Sequence, residues 1–200
     1  MRRLAVAKAV LFLGEPSLRR ASAPVSSSEL RSPIFWREMD LLKETLESFR
    51  AANGFGRGIA APQIGINKRL IAVNLGDGPR LYVNPVILKR SRETFTMWDD
   101  CMCFPDLLVK VARHRSISIK YTDEKGTSQA WNDMELPIAE LFQHEIDHLD
   151  GILAVDRAVG AHGADMTTGE LLVNFPAQVV SRSEFEKQKA LYEAAVDYVI

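Results

Sequence analysis

The stretch His144-Glu145-Ile146-Asp147-His148-Leu149-Asp150-Gly151 carries the strongest chemical signal in the chain. On a helix, residues four apart lie one turn apart on one face, so His144 and His148 present two imidazoles with Glu145 beside them. Two imidazoles at that spacing hold a metal ion, and the carboxylate can move a proton. A catalytic site needs a third protein ligand and one position left open. The extended zinc-protease form H-E-x-x-H-x-x-G-x-x-H would supply it downstream. Gly151 fits that pattern, but Ala154 stands where the last histidine belongs, which excludes that class. Glu170 and His162 are candidates from a stretch of weak periodicity. Upstream, Cys101 or Cys103 offers a thiolate, which suits Zn²⁺ or Fe²⁺. An isolated cysteine is most often a small apolar core residue. Beside an H-E-x-x-H helix, on a segment entering a strand, the ligand reading prevails.

The elements that must position these groups follow from periodicity. Residues 36–52 read as an amphipathic helix, with Trp36, Met39, Leu42, Leu46 and Phe49 at three- and four-residue spacings and Asn53-Gly54 as its stop. A glycine-rich loop follows. Strands are expected over 70–75, 81–88, 107–112, 116–123 and 128–136. Pro85 places the second of these at an edge or a strand end, because proline cannot donate to a ladder. Pro137 opens the helix that carries the two histidines, and Gly151 closes it. Residues 157–175 read as loop, and 181–200 as a final helix capped by Ser181 or Ser183. Strands between helices, joined by short connections, give an α+β architecture in a single domain spanning 1–200.

Composition narrows the function classes. The 200 residues are 46% hydrophobic and 26% charged, as in an ordinary soluble domain, and the net charge of −1 creates no field favouring nucleic acid or an acidic membrane. No apolar run approaches a membrane span. The two cysteines, one residue apart, cannot form an unstrained bridge, which fits a reducing compartment or a metal site. The first fourteen residues have two arginines and an apolar stretch, and Ala21-Ser22-Ala23 has the form of an export cleavage site. Lys8 within the run and Arg19-Arg20 before the cleavage point favour an ordinary first strand or turn instead.

Three blocks make the sequence resemble the peptide deformylase family. They are "GRGIAAPQ" (56–63), against the family's G-apolar-G-apolar-A-A-P-Q; "DDCMCFP" (99–105), against E-G-C-L-S-x-P; and "QHEIDHLDGIL" (143–153). The resemblance covers about Leu11 to Arg157. It implies an α+β fold, with small mixed or antiparallel sheets around the central histidine helix and a helix at each end of the chain, and one divalent metal ion held by Cys101, His144 and His148, with Fe²⁺ expected and Zn²⁺ or Ni²⁺ as substitutes. It further implies Glu145 as the proton carrier, and the Gln63 amide and Met102 backbone N–H as donors to a developing oxyanion. Gly56, Arg57, Gly58 and Asp100 border the substrate. The reaction implied is hydrolytic removal of formyl from the N-terminal methionine of nascent polypeptides, in the cytoplasm or an organelle, with a possible transient ribosome contact. No membrane and no sequence-specific nucleic acid is implied as a partner. Two other readings stay open: an amidase with another N-formyl substrate, and a peptide-binding relative without turnover.

The second block departs from the family pattern: Asp99 replaces glutamate, Asp100 glycine and Cys103 serine, while Arg57 replaces an apolar residue of the first block. These exchanges lead to the expectation that Asp100 or Arg57 selects a polar or charged group on the substrate. Asp147, on a partly buried helix, calls for a cation, and Arg113 is the candidate.

Overall fold

The computed structural model describes residues 7–159 and 178–200. His162 and Glu170, and most of the expected 157–175 loop, lie outside them. Helix α1 runs over Pro33–Asn53. The Ser32 side chain accepts from Ile34 N at its start, Pro33 fills the first position, and left-handed Gly54 ends it. Phe35, Met39, Leu42 and Leu46 form its buried stripe, while Trp36 faces outward, one residue off the expected face.

Strands β1 (Gly58–Ala60), β2 (Leu70–Asn74), β3 (Pro79–Arg90), β6 (Ile117–Thr122) and β7 (Ser128–Trp131) form one sheet in the order β1-β2-β3-β6-β7. Strands β4 (Thr94–Asp100), β5 (Leu107–His114) and β8 (Val179–Ser181) form a second. All their pairings are antiparallel. Strand β3 is therefore central and Pro85 lies inside it, neither at an edge nor at a strand end as expected. The register slips between Val83 and Val86, so the missing N–H falls where the ladder is interrupted. Neighbouring Asn84, at φ 50, replaces the lost pairing by bonding Val25 N and Val25 O through its side chain at 2.8 and 2.7 Å.

Helix α2, Leu136–Leu149, packs on β1, β2 and β5 and so bridges the two sheets. The Gln143 amide fixes it: Oε1 accepts from His114 N and Nε2 donates to His114 O, both at 2.9 Å, a side chain completing a backbone ladder.

The final helix is broken. Helices α3 (Arg182–Lys187) and α4 (Lys189–Glu193) flank Gln188, with Ser181 capping α3 as expected. In one straight helix, residues seven apart are separated by about 10 Å along the axis. The break instead stacks Phe185 on Tyr192 at 5.5 Å, with Trp98 edge-on to both and its Nε1 donating to Tyr192 O at 2.8 Å. Burying this aromatic trio outweighs the lost helical bonds, and periodicity alone could not show it. No helix of the described residues is long and apolar enough to cross a membrane.

Candidate active site

The site forms where β4 runs off its sheet against α2. Strand β4 went unrecognised in the sequence because two aspartates end it. Its alternation is nonetheless clear: Phe95, Met97 and Asp99 share one face and are all buried. An acid on a core face needs a cation, and antiparallel β5 supplies one. Arg113 Nη2 lies 2.5 Å from Asp99 Oδ2, and its Nη1 lies 3.2 Å from Asp147 Oδ2. The expected Arg113–Asp147 pair is thus present. Arg157 adds a second cation to Asp147 at 2.8 Å.

Asp99 also faces His144 Nδ1 at 3.0 Å. This fixes the imidazole with Nδ1–H donating to the carboxylate and leaves the Nε2 lone pair free. That Nε2 lies 3.2 Å from His148 Nε2, which in turn lies 3.3 Å from Cys101 Sγ. Donors at ordinary zinc or iron bond lengths sit about 3.3–3.6 Å apart around a tetrahedral ion. Soft sulfur and imidazole nitrogen, fully buried and this close, fit such a cation. Cys103 also comes within 4.8 Å of Cys101 and His148, so a second sulfur is near. That close set does not include His144, and the Gln63 Nε2 amide faces both sulfurs, 3.5 Å from Cys103 Sγ and 3.9 Å from Cys101 Sγ. Both cysteines are free thiols.

Electrostatics are arranged for a cation. Burial opposes charge on His144, but the Asp99 carboxylate outweighs it and raises the imidazole to about 9. The same negative potential is available to a metal ion at Nε2. Burial pushes the Cys101 thiol well up and His148 well down. Asp99 is held far below its ordinary value despite its burial, by His144 and Arg113. Glu145 is raised from 4.5 to about 7, chiefly by burial, with Asp99 and Glu140 adding and His144 opposing. Its Oε2 is buried with no partner among the described residues. A carboxyl group balanced near neutrality can both accept and return a proton.

Gln63 sits in a 3₁₀ turn, Ala61–Ile64, directly after β1. Its Oε1 accepts from Ala60 N at 2.6 Å, which turns Nε2 toward the two sulfurs. The N-terminal segment secures this turn, since Leu11 N donates to Gln63 O and Leu13 N to Cys103 O.

A cleft of about 250 Å³ opens onto these groups. Gly56, Arg57, Gly58, Gln63, Asp100, Met102, His144 and Glu145 all line it, together with Asp99, Glu140 and Ile200. His148 lies behind, reaching the site through its Nε2. Gly58 has no room for a side chain: a Cβ there would meet Glu145 Oε1 at 2.6 Å. Arg57 and Asp100 are not the free charges their sequence positions promised. Arg57 pairs with buried Glu140 and donates to Pro137 O, and Asp100 pairs with Arg182 at 3.2 Å. The signal for Glu140 and Arg182 was only an unmatched charge in each case. A larger cavity, about 780 Å³, lies over β2, β3, β6 and β7 and is lined by none of the site residues.

The polypeptide deformylase family model matches residues 7–163. The chain is 35% identical over 150 residues to the peptide deformylase of Thermotoga sp. (strain RQ2), covering 74% of this chain and 85% of that one. It is 36% identical over 154 residues to peptide deformylase 2 of Clostridium perfringens, covering 76% and 92%. In structure it is similar to the Thermotoga maritima peptide deformylase, with a TM-score of 0.69, 31% identity and coverage of 76% and 98%. It is similar also to a class I type b peptide deformylase of Acinetobacter baumannii bound to Met-Ala-Ser, with a TM-score of 0.68, 34% identity and coverage of 76% and 99%.

Proposed function

Since this chain belongs to the peptide deformylase family, metal-dependent hydrolases that remove the N-formyl group from nascent peptides, we propose that Cys101, His144 and His148 are its metal ligands. What supports this choice is the approach of His148 Nε2 to both Cys101 Sγ, at 3.3 Å, and His144 Nε2, at 3.2 Å, with His144 oriented by Asp99. Fe²⁺ is our preferred ion, with Zn²⁺ or Ni²⁺ able to replace it. A divalent ion held there supplies an acidified water and polarises an amide carbonyl.

The protein's own groups do the rest. Glu145 takes a proton from the attacking water and returns it to the departing amine, so formate and a free amino terminus leave. As the formyl carbonyl oxygen gains charge, the Gln63 Nε2 amide and the Met102 backbone N–H donate to it. Strand β1 is a sheet edge, and the Gly56–Gly58 segment leading into it offers main-chain groups to an extended peptide. The Met-Ala-Ser peptide in the Acinetobacter relative is of the kind this cleft would release. We read all 200 residues as one catalytic domain, working in the cytoplasm on formylated N-termini and touching the ribosome only transiently.

Formate release from formyl-Met-Ala-Ser by anaerobically prepared Fe²⁺ protein tests the reading. Turnover is expected from the wild type and loss of about 10³-fold or more from Glu145→Gln. A folded, metal-loaded wild type that releases no formate sinks it.

A further inference from the structure

Arg182 lies beyond the residues that the family model matches, yet it reaches the cleft. It is the first residue of α3, and its backbone N donates to Asp106 O at 2.7 Å. Its Nε donates to Pro105 O at 2.8 Å, and its Nη2 pairs with Asp100 Oδ2 at 3.2 Å. Its Cζ stands 4.4 Å over the Phe55 ring. One guanidinium thus joins the segment after Cys101, the end of β4 and the glycine loop. A planar, five-donor cation can serve all three at once, where an ammonium cannot.

Asp100 adjoins Cys101 and lines the cleft, as does Phe55. Both also line a neighbouring cavity of about 230 Å³ whose wall includes Arg182 and Ile200. A peptide held at the metal-ligand cluster and leading outward across this shared wall passes Asp100 with the residue after the formylated one. A bare carboxylate there would attract cationic side chains and repel acidic ones. Of the two arginines that line the cleft itself, Arg57 is committed to Glu140 and Arg50 donates to Asn74 O at 3.5 Å, so neither pairs with Asp100.

We propose that Arg182 is a specificity-determining positioning residue: by pairing with Asp100 and stacking on Phe55 it neutralises Asp100 where the substrate passes, so that the second residue of the substrate is not chosen by charge at that point. The proposal rests on the deformylase reading. It replaces selection by Asp100 or Arg57 with deliberate indifference, fitting an enzyme that meets many different N-termini.

The test is kcat/KM on formyl-Met-Asp-Ser, formyl-Met-Ala-Ser and formyl-Met-Lys-Ser. Wild type should vary by no more than about threefold across the series. Arg182→Met, which keeps the stem and removes the charge, should prefer Lys over Asp by about tenfold at low salt, mainly through KM, and the preference should shrink as salt rises. Adding Asp100→Asn should return the series to flatness, and Arg182→Lys should fall between wild type and Arg182→Met. Asp100→Asn alone frees the cation and should shift preference toward Asp, which keeps the idea testable should Arg182→Met fail to fold. A flat series in folded Arg182→Met or in Asp100→Asn overturns the proposal, as does a Lys preference that survives the double substitution. A wild type inactive on all three peptides takes down the deformylase reading itself and this one with it.

Discussion

Gly58→Ala offers the sharpest probe of the catalytic geometry. The new Cβ would lie 2.6 Å from Glu145 Oε1 and 2.9 Å from its Cδ and Cγ, where ordinary contacts begin at 3.4 Å. The backbone cannot yield easily, because Gly58 is in register with Val73 in the β1–β2 ladder. Helix α2 cannot yield easily either, since Gln143 ties it to both backbone groups of His114. The Glu145 side chain must therefore move, by about 1 Å. Displacements of that size in a catalytic group cost about 100-fold in rate, or roughly 2.7 kcal/mol of transition-state stabilisation. Formate release should fall by that factor with KM little changed, while metal content and the thermal midpoint stay near wild type. In a Glu145→Gln background the same substitution should have almost no further effect, because the misplaced group is already inert. Gly126→Ala is the control: it lies away from the cleft and its Cβ meets open space, though its φ of +80 strains any side chain, so about 1 kcal/mol of stability should go and activity should remain. If folded, metal-loaded Gly58→Ala keeps its rate within about threefold, Glu145 does not move the proton from where this structure holds it.

Three more outcomes follow from the buried charge chain. Asp99→Asn removes the anion that orients His144, and metal affinity measured against a competing chelator should drop about 10- to 100-fold; unchanged affinity would show that Asp99 has no part in orienting the ligand. Arg113→Met leaves Asp99 buried without its cation and should cost about 3–5 kcal/mol in urea unfolding, whereas a loss under 1 kcal/mol would mean the pair is not closed in solution. In metal-stripped protein Glu145 should contribute a loss of stability as pH rises from about 4.5 to 7, against the opposite slope of buried His148, whose imidazole folding holds well below its ordinary value. Folding raises Glu145 from 4.5 to about 7, so its stabilising contribution is full below the lower value and lost through the upper one. This amounts to roughly 3 kcal/mol, and Glu145→Gln should remove that slope, which parallel urea titrations of the two proteins would reveal.

Strands β2, β3, β5, β6 and the first half of the expected 128–136 strand, with α2, were legible because hydrophobic alternation and helical spacing are local properties, whereas three-residue β1, inside the stretch read as a glycine loop, and β8 are too short to show either. The first and third site blocks could be read for the same reason, since Gly58 to Gln63 and His144 to His148 each lie within a few residues. Strand β4 was hidden by its terminal aspartates, although the Phe95-Met97-Asp99 alternation was there to find. Pro85 misled because a bulge, which no local signal announces, removes the ladder bond that proline cannot make. Gln188 interrupts a stretch of good helix formers because an aromatic trio gains more from stacking than a longer helix would return.

By itself, the sequence determined which atoms could bind a metal and move a proton, because the spacing of His144, Glu145 and His148 along one helix turn sets their common face. Only the tertiary structure decided how the remaining charges are used. Asp99 meets Arg113 only when β4 pairs with β5, Asp100 meets Arg182 only when β8 joins that sheet, and Arg57 meets Glu140 only when α2 packs on β1. A charge's meaning depends on what stands within a few ångströms of it, and that distance is not written in the order of residues.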